Sequence, residues 1–145
     1  MLSLDDLEQL AGQAHVCVVR CGRAEESQLV YNYFCNVVLR VYASMEDYLL
    51  HAVFGYPSLT HSSASQIVLV VPPPHDEWAL TAMPFPYDIE ASLSHWVLWR
   101  NSPAQDMTAA EQIISQKFRG RRVVWFSNHE HARTVRGLFH VHIFF

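Results

Sequence analysis

The chain has 145 residues, half of them hydrophobic and 12% aromatic, with 10 basic against 14 acidic side chains and a formal net charge of −4. That length and composition fit one globular domain with a real core and exclude a disordered chain. The acidic balance argues against a nucleic-acid binder, which needs an excess of Lys and Arg on one surface.

Ser3, followed by Asp5, Asp6 and Glu8, reads as an N-capped first turn, and Leu4, Leu7 and Leu10 continue it as a short amphipathic helix ending near Gly12. Residues 14–20 are apolar and fit strand or helix equally. Gly22 to Ser27 reads as a turn. From Gln28 to Phe54 the spacing is helical, with one stripe of Leu29, Tyr33, Val37, Arg40 and Val41 and a second of Tyr31, Phe34, Val38 and Tyr42. Ser44-Met45-Glu46-Asp47 looks like a new cap, so the stretch divides into helices near 28–42 and 45–54, closed by Gly55-Tyr56-Pro57. The tyrosines at 31, 33, 42 and 48 have packing periodicity.

His61 to Ser65 reads as a loop and Ile67 to Val71 as a β-branched strand stopped by Pro72-Pro73-Pro74. Residues 72–93 are expected to hold little regular structure, and a loop that long and aromatic is usually functional or packed over the core. His95 to Arg100 is a predicted strand and Thr108 to Phe118 a helix with Ile113, Ile114 and Phe118 inward. Arg122 to Ser127 is a strand, 128–137 a polar connection and Leu138 to Phe145 the last strand. Trp96, Trp99 and Trp125 are expected in the core. The reading is a single α+β domain over residues 1–145: N-terminal helices, then an antiparallel sheet with a packed helix.

Cys17, Cys21 and Cys35 are an odd set without zinc-finger spacing and read as reduced thiols. The acidic N-terminus lacks the features of a secretory signal, and no apolar run reaches the ~18 residues of a membrane span. The expected compartment is the cytoplasm, with the nucleus as the alternative.

The candidate site lies at the C-terminus. His140 and His142 are two apart within Leu138-Phe139-His140-Val141-His142-Ile143-Phe144-Phe145, so in a strand both imidazoles share one face. Buried imidazoles need partners, and His95 on a neighbouring strand would extend the cluster. Asn128, Arg133 and Thr134, in the preceding connection, can either hold an anion or simply close a turn. Tyr87 and Asp88, in Phe85-Pro86-Tyr87-Asp88, can line a ligand site or plug the sheet. His129 and His131 read as exposed bystanders. A divalent metal is a weaker option, with His140 and His142 joined by His95 or Asp88 as ligands.

Three segments together resemble a family that contains the N-acetylglucosamine-induced fungal protein and is otherwise a domain of unknown function. They are Tyr42-Ala43-Ser44-Met45-Glu46-Asp47-Tyr48-Leu49; Phe85-Pro86-Tyr87-Asp88-Ile89-Glu90 with His95-Trp96-Val97-Leu98-Trp99; and Trp125-Phe126-Ser127-Asn128 with Arg133-Thr134-Val135 and His140-Val141-His142-Ile143-Phe144. A more distant similarity is to histidine-triad nucleotide hydrolases and transferases. In those enzymes an Asn precedes, by about a dozen residues, a His-φ-His-φ-His strand whose middle His attacks phosphorus. Asn128 and His140-Val141-His142-Ile143-Phe144 match that order, with Phe144 in place of the third His and no preceding Gly-Gln/Ser stretch. The resemblance implies a histidine-triad-like fold with His142 as nucleophile or base, His140 and His95 in support, and Asn128, Arg133, Thr134, Tyr87 and Asp88 around a phosphorylated small ligand such as a nucleotide or sugar phosphate. The competing reading is a non-catalytic binding or assembly module, with structural or metal-bound histidines and a protein partner on helices 28–54.

Overall fold

The computed structural model describes residues 1–12, 22–60, 68–128 and 133–145. The stretch 14–20, the loop 61–65, Ile67, Cys17, Cys21, His129 and His131 lie outside the described residues. Among the described residues the elements run α1 (Leu4–Ala11), α2 (Glu25–Val38), α3 (Met45–Ala52), β1 (Ser58–Thr60), β2 (Val68–Val70), β3 (Trp78–Ala82), β4 (His95–Arg100), α4 (Met107–Lys117), β5 (Val124–Phe126) and β6 (His140–Phe144). The class is α+β, with helices first and an antiparallel sheet in the C-terminal half. No helix among the described residues is long and apolar enough to cross a membrane.

The caps explain where the helices begin. The Ser3 side chain accepts from the Asp6 amide at 3.2 Å while Asp6 accepts from the Ser3 amide at 2.9 Å, a reciprocal box in which Asp replaces the usual Glu. Ser44 caps the third helix by accepting from the Asp47 amide at 3.1 Å, and Asp47 also accepts from the Val70 amide at 2.7 Å, tying β2 to α3. Gly55, with φ +72°, provides the left-handed turn after α3.

The main sheet has the order β3-β4-β6-β5, every pair antiparallel, and β1 pairs with β2 in a separate two-stranded ladder. In the central pair His95 faces Phe144, Val97 faces His142 and Trp99 faces His140. Alternation then assigns the faces. Leu98, Val141 and Ile143 pack with Ala110 and Ile114 of α4 on one side, where Trp96, Trp125, Ile113 and Phe118 are partly buried. The other side carries the three histidines, Val97, Trp99 and Phe144. Its upper end is covered by Leu7 and Leu10 of α1 with Tyr87 and Phe126, and its lower end by Leu49 and Leu50 of α3 with Val135 and Leu138.

Several expected boundaries move. The turn expected over Gly22–Ser27 is already helix from Glu25, because Glu25 and Glu26 suit the positive first turn. The helix expected to reach residue 42 ends at Val38 in short turns through Tyr42, and its successor stops at Ala52 rather than 54. His95–Arg100 keeps its expected limits, while the strands expected over 122–127 and 138–145 are shorter at both ends. The largest departure is β3: residues 72–93 were expected to lack regular structure, yet Trp78–Ala82 is an edge strand paired over its whole length with β4. Buried Asn101 anchors it, accepting from the Glu77 amide at 2.9 Å and donating to the His75 carbonyl at 2.9 Å.

Candidate functional site

The histidines form a directional file across β4 and β6. The Tyr87 amide donates to His95 Nδ1 at 3.2 Å, so that nitrogen carries no proton and the neutral ring holds its proton on Nε2. His95 Nε2 lies 2.9 Å from His142 Nδ1 and donates to it. His142 Nε2 in turn lies 3.3 Å from the Tyr87 hydroxyl and 3.2 Å from the Asn128 side-chain amide, which also donates to that hydroxyl at 2.9 Å. Both nitrogens of His95 and of His142 are thus engaged.

His140 differs. Its Nδ1 donates to the Leu138 carbonyl at 3.1 Å, which fixes the tautomer with a bare lone pair on Nε2. Among the described residues that nitrogen has no hydrogen-bond partner, and His140 lines the adjoining cavity. All three rings are neutral at ordinary pH. Burial, then Arg23, pushes His95 down to about 3. Burial lowers His140 to about 4, opposed by the Leu138 carbonyl and assisted by Arg133. Burial, followed by His140, His95 and Arg23, holds His142 well below the usual range.

The cavity has a volume of about 270 Å³ and lies between this sheet face and the helices α2 and α3. Its walls are largely aromatic and aliphatic: Tyr31 and Phe34 from α2, Tyr48 and Leu49 from α3, Phe85 from the loop after β3 and Trp99 from β4. Among the described residues no Asp or Glu lines it, and its one guanidinium is Arg23, which donates to the Phe85 carbonyl at 2.9 Å and stacks 3.9 Å above the Tyr31 ring centre. Among the described residues Arg23 meets no carboxylate.

Of the residues singled out by sequence, His140, His142, Tyr87, Asn128 and Thr134 line this cavity, Thr134 with its hydroxyl 3.3 Å from that of Tyr31. His95 sits behind His142 rather than on the wall. Two others are placed elsewhere. Arg133 binds the Asn128 carbonyl and the Ser127 hydroxyl, both at 2.9 Å, and so clasps the connection before β6. Asp88 pairs with the N-terminal amine at 3.0 Å on the surface. Sequence reasoning passed over Arg23 and Tyr48. Arg23 stood in an apparent turn without a motif, and Tyr48 read as packing. Among the described residues no three of His, Cys, Asp or Glu converge as a metal-ligand set, since His95 and His142 spend their facing nitrogens on each other.

The fold and site define an α+β domain with a four-stranded antiparallel sheet, helices on both faces and a file of neutral histidines ending in an apolar cavity. The chain belongs to the family described as protein of unknown function (DUF3605), whose sequence profile matches residues 15–145. No curated protein matches it. Among solved structures, the crystal structure of HTC1 is similar, with a TM-score of 0.64 and 18% identity over 99% of this chain and 84% of that one; this is a likeness of fold.

Proposed function

We propose that the cavity binds a small phosphorylated ligand, such as a nucleotide or sugar phosphate, with Arg23 holding its anion and the bare Nε2 of His140 accepting a proton or hydrogen bond from it. The observation that carries this reading is the open His140 lone pair in a cavity whose one cation has no carboxylate partner among the described residues. A preorganised donor and acceptor inside an apolar pocket is the usual form of a small-molecule site. The more distant likenesses in sequence to histidine-triad enzymes, at Asn128 and over His140–Phe144, support the same ligand class. They would make His142 the nucleophile; the hydrogen bonds at both its nitrogens favour His140 for any nucleophilic or basic role, with His142, His95 and Asn128 as positioning residues. A bound anion would raise the His140 pKa from about 4 and so strengthen it as a base.

The test is a thermal-shift series with inorganic phosphate, nucleoside monophosphates and hexose phosphates. At a hundredfold excess over Kd a ligand stabilises by about 2.7 kcal/mol, which in a domain of this size raises Tm by roughly 5–10 °C. Arg23→Gln and His140→Asn should each abolish most of that shift. No shift with any of these anions, or an undiminished shift in both variants, refutes the reading.

A further inference from the structure

We propose that α2 is the two-fold contact of a homodimer, packed antiparallel against α2 of a second copy with Tyr33 at the axis. The helix has two apolar stripes. One faces inward: Tyr31 and Phe34 roof the cavity and Val38 is buried. The opposite stripe is exposed among the described residues, Leu29 by 64%, Val30 by 56%, Tyr33 by 72% and Val37 by 39%. A helix that is apolar on both sides is covered on both sides, and a stripe of this kind marks an interaction surface.

The charges at the ends of the stripe select the occupant. Glu26 and Arg40 are exposed, and among the described residues neither is in an ion pair. Steps of three and four residues carry the stripe from Glu26 through Leu29 or Val30 and Tyr33 to Val37 on one helix face, and Arg40 follows in the turn just past the helix end at Val38. Tyr33 is the midpoint of Glu26 and Arg40 and of Leu29 and Val37. A two-fold axis through it sets Leu29 against Val37 of the second copy and Glu26 against Arg40 of the second copy, twice over. The surface is its own complement, in charge as in apolar content, as an isologous contact requires. A 14-residue helix is about 21 Å long, and such a pair buries less than the roughly 1,600 Å² of a standard interface, which makes this a weak, micromolar dimer.

Sedimentation velocity on the 145-residue chain across the micromolar range should show a monomer–dimer equilibrium. Tyr33→Glu, which sets two carboxylates face to face, should leave monomer only. Glu26→Arg and Arg40→Glu each turn two attractions into repulsions and should weaken the dimer roughly tenfold. The double variant Glu26→Arg/Arg40→Glu exchanges the pairs and should restore the wild-type constant, which a folding defect cannot do. A wild-type chain that stays monomeric, a dimer indifferent to Tyr33→Glu, or a double variant no tighter than the singles overturns the proposal.

Discussion

Lowering the pH from 7 to 5 should strip this protein of a large part of its stability, through the histidine file. The unfolded chain takes up protons on its histidines as pH falls through about 6.5, whereas the folded His140 and His95 do not until about 4 and about 3. The unfolded state therefore binds more protons throughout that interval. Their contribution is complete above about pH 7 and is lost progressively on acidification, until the folded rings also titrate. For one such ring, linkage gives a loss of about 1.9 kcal/mol between pH 7 and 5, so the pair loses just under ~4 kcal/mol, and His142 acts in the same direction. That is comparable with much of a typical domain's stability of about 5–15 kcal/mol. The carboxylates held low by their partners, Asp6, Asp76 and Glu77, lose their contribution only as pH falls below the ordinary carboxylate range, so they leave this interval to the histidines. Urea titrations at the two pH values should show the midpoint falling by roughly 2 M at pH 5. His140→Asn keeps an N–H for the Leu138 carbonyl but cannot titrate, and it should reduce the drop by about 1.9 kcal/mol. Equal stability at pH 7 and pH 5, or an undiminished drop in His140→Asn, would refute the assignment of neutral, buried rings.

Two further perturbations test the packing that holds the site. Phe144 is fully buried, stacked 4.4 Å from the His95 ring and 5.4 Å from that of Phe126; Phe144→Ala should cost about 3–5 kcal/mol in equilibrium denaturation. Asp47 joins the α3 cap and also holds the Val70 amide of β2, so Asp47→Ala should cost about 1 kcal/mol more than Ser44→Ala, which removes the cap alone; equal costs would show that the tie to β2 adds nothing.

How far the sequence revealed this arrangement depended on whether a residue's role was local. His95–Arg100 emerged with its observed limits because the run is continuous and β-prone, and both caps were legible because Ser and Asp at that spacing satisfy amides only a turn away. Trp78–Ala82 was not legible: it sits near three prolines, contains two alanines, and becomes a strand because β4 and Asn101 hold it. The two stripes of α2 were visible as periodicity, but periodicity does not say which one faces inward; the rings of Phe85 and Tyr48 decide that, through long-range contacts with Tyr31 and Phe34. Arg23 and Arg133 illustrate the same limit at the site. Arg133 lay beside the histidine strand in sequence, yet its guanidinium is spent on its own loop, while Arg23 reaches the cavity from far along the chain.

The histidine face is costly as pure structure. Its neighbours Val97, Phe126 and Phe144 show that apolar side chains fill this surface well, and buried polar groups replaced by apolar ones of like volume often leave a fold as stable or more so. Each imidazole instead requires an assigned tautomer and a partner, and together they expose the fold to acid. Structural satisfaction accounts for His95 and His142, which pair with each other and with Tyr87. It does not account for His140, whose Nδ1 is satisfied by Leu138 while its Nε2 has no partner among the described residues, nor for Arg23 on a largely apolar wall. The ligand proposed above would give both groups a partner, and its binding would offset the stability that the file forgoes.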